Sequence, residues 1–304
     1  MKRRCFGLML ASVALVASAW AQAPAVARPA AEPARKAMFW KASSPGNVIY
    51  LLGSIHLGSK DMYPLAKEIE DAFDKSAALI VEVDLNRMDA SGMQSMILSS
   101  GLYAGDDSLW NHVDADTRAK LEKFCDKYGL PAAAMSKFKP WMAAIMASTL
   151  PMTKSGMEAG LGIDKYFMDK AAKANKKIVE AESAEWQVKL LSGFSEEVMR
   201  KYLTAALEED ASDKIKQLQD AWMSGDVRRL DDMIHEKSDV PEEITRGMLE
   251  NRNPHMADVA EQYLKGKDPA MIVVGAAHMV GAEGVIKLLE KRGYKVEQVA
   301  LAPR

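Results

Sequence analysis

Cysteine is almost missing from this chain: Cys5 and Cys125 are the only two. Cys5 lies in an N-terminal segment that reads as removable, so Cys125 would stand alone and an intramolecular disulfide is excluded. Excess positive charge is missing too. The formal net charge is −2 at pH 7, and it moves to −5 once Lys2, Arg3 and Arg4 are removed. That argues against a nucleic-acid partner, which would select a basic face. Beyond the N-terminus no apolar run approaches the roughly 20 residues that a spanning helix needs. No linker-like stretch interrupts residues 38–304, so a single domain is expected there.

What is present begins with an export signal. Lys2, Arg3 and Arg4 precede the apolar stretch Phe6 to Val16, and Ala19-Trp20-Ala21 and Ala21-Gln22-Ala23 fit the small-x-small cleavage pattern. Residues 1–21 are therefore expected to be a signal peptide, and the protein to be periplasmic or secreted, with no stable membrane span after cleavage. Cys5 precedes the apolar stretch instead of ending it, so no lipoprotein pattern applies. Residues 22–37, rich in Ala and Pro, are expected to form a disordered tether.

Strand patterns stand at both ends of the remaining chain and helical patterns between them. Met38–Ala42 and Val48–Leu52 flank dense turn chemistry and predict a hairpin. Pro64 is expected to open a helix, with Ala78–Leu85 as the next strand, giving a β–α–β order and a parallel pair. Residues 86–160 read as a helical insertion. Lys177–Ala181 is expected as a short strand, residues 196–264 as mostly helix, Met271–Val274 as a strand, Ala282–Arg292 as a helix and Tyr294–Ala300 as the last strand. The fold class that follows is α/β, a mixed and largely parallel sheet flanked by helices.

Two segments share a grammar. Ile49-Tyr50-Leu51-Leu52-Gly53-Ser54-Ile55-His56 and Met271-Ile272-Val273-Val274-Gly275-Ala276-Ala277-His278 each run from an apolar strand through Gly-x-x to a histidine. A histidine at the carboxyl end of a strand points into the crevice where open α/β sheets place ligands. Glu82 is the third unusual residue. It sits in Leu79-Ile80-Val81-Glu82-Val83, a run that reads as a doubly buried strand, where an ionised carboxylate is costly without a cation, a metal or hydrogen bonds. Asp84 follows on the same side. Histidines with carboxylates suit a divalent ion such as Zn²⁺ or Mn²⁺; a structural ion pair between Glu82 and an arginine is the competing reading. His112 and His235 read as surface residues, and His255 as a residue that could reach the crevice through its neighbour Arg252. The pairs Met93/Met96 and Met142/Met146 read as packing, with copper binding the alternative.

These segments carry a resemblance. Residues 48–58, Tyr63-Pro64-Leu65, residues 79–85, Gly162-Ile163-Asp164, Glu182, Arg252-Asn253-Pro254-His255-Met256, residues 274–281 and Arg292-Gly293-Tyr294-Lys295-Val296 closely resemble the TraB/GumN family. That family looks related to the metal-dependent Tiki peptidases and resembles the erythromycin esterase and ChaN-like haem-binding proteins in fold. The resemblance implies that His56, Glu82 and His278 form a paired His/Glu site, as metal ligands and catalytic groups, with Asp164, Glu182 and Arg252 as secondary candidates. Asn251 departs from the acidic residue expected before Arg252-Asn253. The function implied is a metal-dependent hydrolase, a peptidase in the leading reading, acting on a peptide or small molecule. A non-catalytic protein that binds haem or metal, and an esterase-like hydrolase without metal, remain open at this point.

Overall fold

Turn chemistry decides the first pairing. Ser44 Oγ accepts the Asn47 N–H at 3.1 Å, and the chain reverses so that β1 (Arg35–Ser43) lies antiparallel to β2 (Val48–Ser54), with Ser43 opposite Val48. The computed structural model describes residues 35–302 except 88, 209–210 and 236–239. The expected signal peptide and most of the expected tether lie outside the described residues. The tether boundary at residue 37 needs correction, because β1 begins at Arg35, where its backbone pairs with Leu301.

The other strands are β3 (Ala78–Val81), β4 (Lys177–Glu180), β5 (Ala270–Gly275) and β6 (Lys295–Leu301), and the sheet order is β4-β3-β5-β2-β1-β6. The run β4-β3-β5-β2 is parallel, and β1 is antiparallel to both its neighbours. The β–α–β unit of β2 and β3 is parallel as expected, but its strands are not neighbours. The C-terminal strand β5 inserts between them, with Ser54 opposite Gly275 on one side and Val81 opposite Val273 on the other. At the other side of β2 the first and last strands of the sequence pair directly, β1 with β6.

The helices in chain order are α1 (Lys67–Lys75), α2 (Ala90–Gly101), α3 (Ala115–Tyr128), α4 (Pro140–Lys154), α5 (Ile163–Lys173), α6 (Ala184–Gly193), α7 (Glu196–Glu208), α8 (Ala211–Ser224), α9 (Val227–His235), α10 (Glu242–Thr245), α11 (Asn253–Lys265) and α12 (Val285–Lys291). Pro64 does not open α1, whose N-cap is Ala66 in extended conformation. The last helix starts at Val285 and not at Ala282, because Gly281 takes a positive φ of 85° and Gly284 donates back to its carbonyl at 3.1 Å. No helix among the described residues is long and apolar enough to cross a membrane.

Successive side chains of a strand point to opposite faces, and every residue of β3 is buried, so helices cover both faces there. Phe73 of α1 packs on Phe167 of α5, ring centroids 5.3 Å apart. Burying each such side chain contributes about 1.5–3 kcal/mol. A second core, holding Leu109, Leu121, Phe124, Cys125, Met135 and Ala144, builds the helical layer. It also includes Leu203 of α7, so the layer gathers helices from both sides of β4 and extends beyond the expected 86–160 insertion.

Candidate functional site

Three parallel strands end side by side, and each delivers one group. His56 lies two residues beyond β2, Glu82 is the first residue after β3, and His278 sits in the 3₁₀ turn Ala276–Met279 after β5. Glu82 is thus not inside a strand, as the apolar run predicted, but at its carboxyl end, where open α/β sheets place ligands. Gly53 is needed where it stands: a Cβ there would lie 2.9 Å from Ala276, blocking the turn that carries His278. Trp222 of α8 pins the same spot, its Nε1–H donating to the Gly53 carbonyl at 2.7 Å. The start of α5 is fixed beneath His56 by the Ile163 N–H, which donates to Ile55 O at 3.0 Å, and this places Asp164.

Glu82 divides its two oxygens between two tasks. Its residue is 8 % exposed. Oε2 accepts from Arg252 Nη2 at 2.7 Å and from Gln187 Nε2 at 3.2 Å. Oε1 accepts the Gly275 N–H at 2.7 Å and faces Nε2 of His278 at 3.8 Å and Nε2 of His56 at 3.9 Å. The ion pair with an arginine, one of the two sequence readings of Glu82, is present at Oε2, while Oε1 faces the two histidines. Arg252, 6 % exposed, also grips Glu182 with two bonds, Nε to Oε1 at 2.8 Å and Nη2 to Oε2 at 2.6 Å, and donates Nη1 to Met248 O at 2.7 Å. Met248 lies in the π-helical turn Arg246–Glu250, a local widening that is frequent near functional sites. Burial raises the Glu82 pKa, but His278, His56, Arg252 and the Gly275 N–H lower it and prevail, bringing it to about 2. His278 is itself driven to its neutral form, so at neutral pH this stabilisation belongs to His56, Arg252 and the Gly275 N–H.

The two histidines differ in state. His278 is 3 % exposed, and burial lowers its pKa to about 4 against the pull of Glu82. Asn253 Nδ2 donates to Glu283 O at 2.8 Å, which turns Asn253 Oδ1 to His278 Nδ1 at 2.7 Å. His278 must then carry its proton on Nδ1, leaving a bare lone pair on Nε2 toward Glu82. His56 has 60 % of its side chain open to solvent. Burial lowers its pKa, but the contact with Asp164 and the charges of Asp164 and Glu82 raise it and prevail, to about 9. His56 Nδ1 stands 3.2 Å from Asp164 Oδ1 without hydrogen-bond alignment, and that buried oxygen has no hydrogen-bond partner.

This donor set fits a divalent cation in character. Oε1 and the two Nε2 atoms converge, with Arg252 paired to Glu82 and Glu182 on one side and Asp164 beside His56 on the other. A Cβ on Gly275 would fill the gap, at 3.3 Å from Glu82 Oε1 and 3.5 Å from His56 Nε2. Ligands about 2.1 Å from a tetrahedral ion stand roughly 3.4 Å apart, so the side chains would close by about half an ångström. As they stand, no three His, Cys, Asp or Glu side chains among the described residues form a group that could hold a metal ion. Cation binding at His56 would release its proton.

Gly275→Ala is expected to weaken Zn²⁺ binding by about tenfold or more, the scale of a disturbed supporting contact, while thermal unfolding changes little; calorimetric titration checks this, and an unchanged affinity would contradict the placement. Asn253→Ala is expected to cost about 1–3 kcal/mol by stranding the His278 Nδ1–H. The same change should lower metal affinity by about 10–100-fold, read by urea unfolding and by the same titration.

Of the secondary candidates, Asp164 backs His56, and Glu182 and Arg252 form the ion pair behind Glu82. Asp84 turns into its own loop, its Oδ1 accepting the Asn86 N–H at 3.1 Å. His255 supports the sheet edge through Ala181 O at 2.7 Å. His112 stacks on Tyr103 at 4.3 Å and bridges Asp107 and Glu196, and His235 pairs with Asp231 at 2.7 Å. Met142 and Met146 pack against cores of the helical layer. Sequence reading missed Gln187, for which no signal existed, and Asn253, whose signal was its place in the Arg-Asn-Pro run.

The chain matches the TraB/PrgY/gumN family over residues 38–298. It is 29 % identical over 148 residues to the uncharacterized protein YbaP of Escherichia coli (strain K12), covering 48 % of this chain and 53 % of that protein, and the Shigella flexneri YbaP matches equally. The chain thus spans about half the length of these two relatives. An uncharacterized protein of Treponema pallidum (strain Nichols) is 23 % identical over 277 residues, covering 85 % of this chain and 81 % of that one. No solved structure matches the chain significantly. Both Gly-x-x-His segments and Glu82 fall inside the matched span, and the chain belongs to the TraB/PrgY/gumN family.

Proposed function

We propose that the protein is an exported hydrolase that depends on a divalent metal, Zn²⁺ or Mn²⁺, and cuts peptides. The observation that carries this is the convergence of Glu82 Oε1 with Nε2 of His278 and Nε2 of His56, at 3.8 and 3.9 Å. The gap between them is the size of an ion and too narrow for a macrocycle, which favours a metal over haem. His56 and His278 would hold the cation through Nε2 and Glu82 through Oε1. When bound, the cation supplies Lewis acidity, acidifying a water and polarising the scissile carbonyl. The chain's own residues do the rest. Asn253 fixes the His278 tautomer, Asp164 steers the His56 ring, and Arg252 with Gln187 holds the second oxygen of Glu82 away from the reacting atoms.

The test is metal content by mass spectrometry on protein purified from the exported fraction, followed by digestion of a mixed peptide library. Expected are stoichiometric Zn or Mn, cleavage that a chelator abolishes, and recovery on readdition of the ion. Cleavage by metal-free protein at an unchanged rate would contradict the metal, and absence of cleavage at any metal loading would contradict the hydrolase. Export is checked on the same sample, with Gln22 as the expected first residue; full-length chain in the membrane pellet would contradict it.

A further inference from the structure

A cavity of about 500 Å³ opens beside His56 and Glu82, within the roughly 300–1,000 Å³ range of small-ligand pockets. The loops that carry the site also build its walls. Leu57 follows His56, Val83 and Leu85 follow Glu82, and Ala159 comes from the turn before α5. The helical layer closes the far side with Thr149 and Thr153, one turn apart on α4. The hydroxyls of both threonines donate within their own helix, to Ile145 O at 2.8 Å and Leu150 O at 2.9 Å, so they bring no free donor. No lysine or arginine lines the cavity, and its carboxylates, Glu82 and Asp164, are those of the centre. Leu85 is 44 % exposed at this position. An exposed leucine alone is ordinary. This one belongs to the lining of a hollow whose charged groups all belong to the cluster of His56, Glu82 and Asp164.

We infer that the cavity is a side-chain subsite and that it takes an apolar residue, aliphatic or aromatic, adjoining the bond cut at the His56–Glu82–His278 centre; the words about bond cutting rest on the hydrolase reading above. An acidic side chain placed there would lose its hydration and meet the carboxylates of Glu82 and Asp164, with no lysine or arginine in the lining to compensate it. The helical layer thereby acquires a role: α4 supplies part of the wall through Thr149 and Thr153.

Binding of blocked amino acids tests the subsite apart from catalysis. N-acetyl-leucinamide, N-acetyl-phenylalaninamide and the α-amide of N-acetyl-glutamic acid are titrated into the protein carrying labelled Leu, Val and Thr methyl groups. The two apolar amides are expected to shift the Leu57, Leu85 and Thr149 methyl signals and to bind at least about tenfold tighter than the glutamate compound, the scale of apolar pocket discrimination. Leu85→Arg, at an exposed position, is expected to keep the wild-type melting temperature and to lose most of that preference. Equal affinity for all three amides, shifts confined to other methyl groups, or an intact preference in Leu85→Arg would each overturn the inference. A protein that shows the apolar preference but cleaves no peptide leaves the subsite standing and removes the hydrolase reading. One that cleaves without regard to side chain does the reverse.

Discussion

Arg252→Leu is expected to destabilise the fold by about 3–5 kcal/mol, the cost of leaving buried charge without its partner. The guanidinium is the cation between Glu82 and Glu182, at 2.7 and 2.6 Å, and all three side chains are buried. Removing it strands two carboxylates in a space that water barely reaches, and it also frees the Met248 carbonyl. Arg252→Lys is not expected to rescue the protein, because an ammonium cannot reproduce the fork that holds both oxygens of Glu182. Urea unfolding of the metal-free protein measures the loss. A change within about 0.5 kcal/mol, the usual range for a surface substitution, would show that the network does not hold the strand ends.

Glu82→Gln is expected to act less on the fold and mostly on the ion. Arg252 keeps both of its bonds to Glu182 in this variant. The amide can still accept the Gly275 N–H through its oxygen, but its nitrogen then meets Arg252 donor to donor. That conflict should cost about 1–3 kcal/mol. The loss of charge at Oε1 should lower Zn²⁺ affinity by more than the roughly 10–100-fold typical of a supporting contact. Melting curves with and without Zn²⁺ separate the two effects, since an ion that binds only the folded state raises its stability. The wild type is expected to gain and the variant to gain far less. Equal gains would remove Glu82 from the ion site.

How far this was legible in the sequence depended on whether the signal was local. The β1–β2 hairpin was, because Ser44 to Asn47 is turn chemistry and apolar runs flank it. The histidine turns were, because glycine and histidine recur at one spacing after two apolar strands. The neighbourhood of β2 and β5 was only partly so. Nothing in residues 270–275 states that the strand inserts between β2 and β3; that follows from which edges remain once helices cover both faces. Strand β3 ended earlier than its apolar run, since Glu82 turns to Arg252 and Gly275 instead of continuing the ladder with its side chain in a core. The sequence offered an arginine partner for Glu82 but not which one, since Arg252 lies 170 positions away. Asn253 was written in the sequence beside Arg252, but its function depends on Glu283 O orienting the amide, a contact across α11 and the turn before α12.

The most direct test of the central claim is an anomalous difference map at the zinc edge, from crystals of the protein grown with Zn²⁺. The account predicts one strong peak between β2, β3 and β5, about 2.0–2.2 Å from Nε2 of His56, Nε2 of His278 and Oε1 of Glu82. A zinc-loaded crystal with no peak there, and with Glu82 Oε1 still held by the Gly275 N–H alone, would contradict it.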